Sequence, residues 1–154
     1  MKKFSFRLAK VLELRRKQED SLKETLSHIE QKIADVRNNL QRLTGRLTGL
    51  QKRLKSLYGD RMTVDDILLI QRALSQLRKE ILKEQKLLDS LYRERIEISE
   101  ELLEAMKKRK VLEELEDKER ILYKEELTKY EQKIADEMTA KRFTSGGYAL
   151  KIKV

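Results

Sequence analysis

The chain has 154 residues, 41% charged and 5% aromatic, with no cysteine, proline or tryptophan and a formal charge of +9. Apolar residues, 39% and mostly Leu and Ile, are too many for a disordered chain and too few for a thick core, which points to long helices of coiled-coil type. Without thiols there is no disulfide or Cys-ligated zinc. With neither a run of about 18 apolar residues nor a signal-like stretch after Met1-Lys2-Lys3, the sequence predicts a soluble cytoplasmic protein with no direct membrane insertion.

The first predicted helix spans about 5–58. Leu22, Leu26, Ile29, Ile33, Val36, Leu40, Leu43, Leu47, Leu50, Leu54 and Leu57 follow one another in alternating steps of four and three. This is the a/d seam of a left-handed coiled coil. Extended backward, the seam takes in Glu19, Arg15, Leu12 and Leu8. At 59–62 the pattern stops, with Gly59 suited to a helix C-cap. Thr63 is placed to cap the next helix, Asp65 and Asp66 suit the positive end of its dipole, and Met62 can staple onto Ile67. A loop this short predicts a tight antiparallel hairpin.

The second predicted helix spans about 64–142, where Gly146-Gly147 is expected to end it. Its seam runs Ile67, Ile70, Leu74, Leu77, Ile81, Glu84, Leu88, Leu91, Arg95, Ile98, Leu102, Ala105, Arg109 and Leu112. A turn centred near residue 61 puts Leu57 by Val64 and Leu8 by Glu113, with nothing in the first arm reaching past about residue 118. Residues 120–142 then overhang and would project roughly 35 Å. After an expected phase change near Glu116 and Glu119 the overhang keeps a stripe of Tyr123, Leu127, Tyr130, Ile134 and Met138, which implies a partner. Folding back of Lys2–Phe6 or of 143–154, or association of two copies, would cover it equally well. The 143–154 segment is predicted to be a flexible tail, with Leu150, Ile152 and Val154 alternating with lysines.

The charge is unevenly spread, with 16 basic and 7 acidic residues in 1–63 against 20 of each in 64–154. Glu113, Glu114, Glu116, Asp117 and Glu119 are expected opposite Lys2, Lys3 and Arg7. Exposed pairs contribute only about 0.2–1 kcal/mol each, so they orient the arms more than they stabilise them.

No residue set supports catalysis, a metal, a cofactor or a small-molecule substrate. His28 sits alone at an outer position. Neighbouring carboxylates such as Glu100-Glu101 splay about 100° apart on a helix. Gly45 and Gly49 lie within the helical register and form no phosphate loop. Two features suggest docking instead. Arg15-Arg16-Lys17 and Lys107-Lys108-Arg109-Lys110 come to similar heights as a basic collar, with Arg15 and Arg109 on the seam at a cost in stability. Gly45, Gly49, Leu68, Leu69 and Ala73 form a second, smoother patch near the turn.

The two ends, Phe4-Ser-Phe6-Arg7-Leu8-Ala-Lys-Val-Leu12-Glu-Leu-Arg15 and Tyr130-Glu-Gln-Lys133-Ile-Ala-Asp136-Glu137, resemble the flagellar export protein FliJ family. The resemblance covers residues 4–142. It implies an all-α, antiparallel two-helix coiled-coil hairpin, similar to the central stalk of rotary ATPases and not itself an enzyme, serving flagellar type III export. Its implied partners are the hexameric export ATPase, the export-gate membrane protein and export chaperones. On that analogy Phe4, Phe6, Arg7, the collar, Tyr123 and Tyr130 fall to the ATPase, and Gly45, Gly49, Leu69 and Ala73 to the gate. The family pattern does not supply the segment after Arg142. The equivalent stalk of a virulence secretion system is the closest alternative, and a homodimeric scaffold is another. A nucleic-acid-binding arm is disfavoured, because acidic residues interleave with the basic ones and the few aromatics form no stacking platform.

Overall fold

The computed structural model describes residues 1–57 and 63–152, the last six by their helix alone. The expected turn at 59–62, with Gly59 as cap and Met62 as staple, lies outside the described residues. The chain is all-α, a helical hairpin of α1 (Ala9–Leu57) and α2 (Val64–Ile152). It divides into two compact units, Lys17–Ala105 and Met1–Arg16 with Met106–Val154.

In Lys17–Ala105 the heptad pattern becomes burial. Every seam position from Leu22 to Leu57 and from Ile67 to Ala105 is buried or half-buried, Glu84 and Arg95 included. Ile29, Ile33, Val36 and Leu91 form a core cluster, with Leu40, Leu88, Tyr92 and Ile98 packed against it. The seam cation Arg95 is accommodated by lying 5.2 Å from the centre of the Tyr92 ring, with Arg37 at 5.8 Å. Glu19, also on the seam, is 3% exposed and lies 3.1 Å from Lys23 Nζ. At the start of α2, Thr63 Oγ1 accepts the Asp66 amide at 3.3 Å and donates to Asp66 Oδ2 at 2.8 Å, as the capping pattern requires.

The turn-centred register sets Ile33 by Leu88 and Ile29 by Tyr92, and all four share one packed cluster, whereas long side chains on the flank reach partners about two helical turns further along. Val64, expected beside Leu57, is 72% exposed, and Arg37 reaches Tyr92. Helical side chains lean toward their own N-terminus. In an antiparallel pair both leans add, so side chains in contact carry higher residue numbers than backbones at the same level.

Gly45 and Gly49 are exposed, and a Cβ added at either meets nothing within 4 Å. Packing gives no reason for them. Gly45→Ala and Gly49→Ala are each expected to raise stability by about 1 kcal/mol, read as a higher urea midpoint; an unchanged or lower midpoint would show that the glycines are needed by the fold.

In the unit of Met1–Arg16 and Met106–Val154, the first six residues are not helical, whereas the sequence predicted helix from about residue 5. Phe4 and Phe6 explain the difference. Two residues apart they would face nearly opposite sides of a helix, but in an extended segment both face one side. Phe6 is buried, Phe4 half-buried, and α1 begins as the Ala9 amide donates to the Phe6 carbonyl at 3.2 Å. The expected phase change near Glu116 and Glu119 does not occur. Arg109, Leu112, Glu116, Glu119 and Tyr123 keep the four-three alternation, all half-buried, and the glutamates simply occupy seam positions. Beyond Leu127 every side chain from Thr128 to Gly146 is exposed.

α2 also continues past Arg142 to Ile152, through the glycine pair expected to end it and through the segment expected as a flexible, strand-like tail. Glycine weakens a helix by about 1 kcal/mol but terminates it only by turning left-handed, and no described glycine has a positive φ. Among the described residues, no helix is long and apolar enough to cross a membrane.

Candidate functional site

The unit of Met1–Arg16 and Met106–Val154 gathers most of the residues singled out at the chain ends. Its centre is Glu113, which sequence reasoning placed opposite Lys2, Lys3 and Arg7. The carboxylate instead joins the two halves of the collar. Arg109 Nη1 donates to Glu113 Oε2 at 2.7 Å, and Arg16 Nη2 donates to Oε1 at 3.3 Å. Hydrogen bonding by Arg109 comes first in holding the Glu113 carboxyl below its ordinary range, partial burial opposes it, and Arg16 adds to the lowering. One glutamate thus fixes two guanidinium groups. The signal for it in the sequence was the i,i+4 spacing from Arg109.

Because the folded-state pKa of Glu113 is depressed, its contribution to stability is present above the ordinary carboxylate range and lost as pH falls through the lowered value. Glu113→Gln is therefore expected to flatten the acid limb of the stability profile. The side chain is 33% exposed, so the neutral-pH loss should stay within about 1 kcal/mol. Urea unfolding from pH 7 to pH 3 checks both, and parallel acid limbs for the two proteins would contradict the assignment.

Beyond the collar, residues 1–6 form a strap along α2. Tyr123 Oη donates to the Lys2 carbonyl at 2.6 Å, and the Phe4 and Tyr123 rings lie 5.6 Å apart, tilted by 54°. Arg120 stacks over the other partner, 4.8 Å from the Phe4 centroid, and pairs with Glu116 at 3.1 Å. An open groove of about 460 Å³ follows the strap, lined in part by Lys3, Glu119, Leu122 and Glu126. The sequence expectation that nothing in the first arm reaches past about residue 118 fails here, since the strap covers Tyr123, the first rung of the overhang stripe. Tyr130, Ile134 and Met138 remain exposed.

The predicted site residues are thus only partly brought together. Phe4, Phe6 and Tyr123 belong to the strap, and Arg16 and Arg109 share Glu113. Arg7, Lys107, Lys108 and Lys110 are exposed and Arg15 is half-buried, while Lys17 belongs to the other unit. There, Leu69 is exposed and Ala73 half-buried, and neither lies within 4 Å of a Cβ built on Gly45 or Gly49. His28 is exposed, 3.9 Å from Glu24.

Neither the curated proteins nor the solved structures include a significant match to this chain. The family described as Flagellar FliJ protein matches residues 4–147. The match spans the aromatic strap, the collar and both seams, and the chain belongs to the FliJ family of flagellar proteins.

Proposed function

We propose that this protein is a non-enzymatic component of the flagellar type III export apparatus. In this reading it acts as a stalk that docks in the hexameric export ATPase, stimulates ATP hydrolysis, and links the ring to the export gate and to export chaperones. It works in the cytoplasm, peripheral to the inner face of the membrane at the flagellar base. Family membership supports the export role. The observation that carries the docking role is the collar: Glu113 holds exposed Arg16 and half-buried Arg109 together, next in sequence to the exposed Lys107, Lys108 and Lys110, in the unit that also carries an exposed helical extension. Long-range attraction would steer it toward an acidic rim inside a ring. The strap residues Phe4, Phe6 and Tyr123, with Arg7 and Tyr130, belong to the same end.

Gly49, Leu69 and Ala73 fall on one c/g flank of the heptads, with Gly45 beside them at an f position, and are proposed for the gate. Charge reversal at Arg15, Arg16, Arg109 and Lys110 tests the docking role. Loss of ATPase stimulation with retained helicity is expected, and undiminished stimulation would remove the collar from the interface.

A further inference from the structure

Two packed helices do not cover their own seam completely. In Lys17–Ala105 the seam residues Leu40, Leu47, Leu54, Ile67, Ile81 and Leu88 stay half-buried. Two hairpins set seam to seam as a four-helix bundle would bury the remainder. With Leu22 as d and Ile67 as a, Leu26 and Ile29 place Leu at a and Ile at d, while Ile67 and Ile70 place Ile at both. Those choices favour more than two strands. The apolar pattern by itself therefore invites copies of the chain to associate.

Arg95 breaks that pattern at an a position, one turn from Leu91 of the core cluster and one turn from Ile98 packed against it. It is half-buried, and its guanidinium lies 5.2 Å from the centre of the Tyr92 ring on the e flank. Arg37, from an e position of α1, lies 5.8 Å from the same ring. Both arginines line one open groove of about 440 Å³ with Glu30, Ile33, Ala34 and Asn38. Arg109, the next seam cation, has Glu113 as its partner at 2.7 Å. Among the described residues, by contrast, neither Arg95 nor Arg37 has a carboxylate oxygen within 4.0 Å, which leaves both to be solvated by water. A second hairpin laid over this flank would strip that water from two cations with one carboxylate, Glu30, in their groove. Parallel pairing of two α2 helices would also set Arg95 against Arg95 and Glu84 against Glu84.

We propose that Arg95, braced on Tyr92 and joined by Arg37, is a barrier that keeps the chain a single hairpin by opposing association of two copies through their seams. An arginine at an a position costs stability, and what it secures is the choice of partner: α1 pairs with its own α2 and with no second copy. The device lies in Lys17–Ala105 and does not rest on the ring-docking reading, whose four tested residues, Arg15, Arg16, Arg109 and Lys110, belong to the other unit.

Sedimentation velocity of the full chain over about a hundredfold range of concentration tests the barrier, with Arg95→Leu as the main variant. The unmodified chain is expected to sediment as a monomer throughout. Arg95→Leu is expected to self-associate, with a melting midpoint by circular dichroism that rises with concentration. Arg95→Lys keeps the charge and should remain monomeric. Arg93→Leu introduces the same apolar side chain at an exposed outer position and should remain monomeric as well. Adding Arg37→Ala to Arg95→Leu removes the second cation and should tighten the association about tenfold. Self-association of the unmodified chain, a monomeric Arg95→Leu variant, or association of Arg93→Leu or Arg95→Lys equal to that of Arg95→Leu would overturn the proposal. Association no tighter without Arg37 would overturn the part given to that residue.

Discussion

Replacing Ile33 with Ala should lower the unfolding free energy by about 2–5 kcal/mol, the range for emptying a packed aliphatic site. Ile33 is 4% exposed at the centre of the cluster with Ile29, Val36 and Leu91. A helical pair buries little beyond its seam, so each seam residue carries a large share of a total that is only about 5–15 kcal/mol for a native domain. Leu69→Ala is the control, expected to stay within about 0.5 kcal/mol because Leu69 is exposed. Urea unfolding followed by circular dichroism separates the two. Equal losses at Ile33 and Leu69 would mean that the seam does not hold the hairpin together.

The second large effect is local. Phe6→Ala removes the buried aromatic that anchors residues 1–6, a truncation that costs about 3–5 kcal/mol in a packed core. Here the loss is expected mainly as release of the strap, because the strap's contacts lie on its own unit. Hydrogen exchange should accelerate at the Ala9 amide, which donates to the Phe6 carbonyl, and Tyr123 should become more exposed. Exchange in the Ile29–Val36 segment should not change. Acceleration there, or none at Ala9, would contradict a strap held by Phe6.

The seams were legible from sequence as far as Leu112, because burial in a two-helix coil follows the heptad and little else, but Glu116 and Glu119 hid their continuation to Tyr123. Glu19, Arg95 and Arg109 could be placed on the seam even though their chemistry argues against it. The turn-centred count also gave the core partners, Ile33 with Leu88 and Ile29 with Tyr92 in one cluster, but not the flank pairs, where long side chains lean along the helices and Glu113 meets Arg16. The strap escaped for a different reason. Phe4 and Phe6 fit an extended segment only once Tyr123 and Arg120 provide a surface for them, and that surface is tertiary. Glu113 was counted among several acidic neighbours, and its hold on two arginines depends on geometry that no composition shows. At the C-terminal end, the glycine pair was read as a stop because glycine permits a left-handed turn, but permission alone does not make the chain take it.

We propose that this FliJ-family chain docks on the flagellar export ATPase through the end that carries the strap and the collar. Co-sedimentation of the purified chain with the purified ATPase at physiological salt measures this docking. The complex is expected to form with the unmodified chain, to weaken as salt rises, and to be lost when Arg15, Arg16, Arg109 and Lys110 are reversed in charge. No complex at physiological salt, or a complex indifferent to those four substitutions, would rule the docking out.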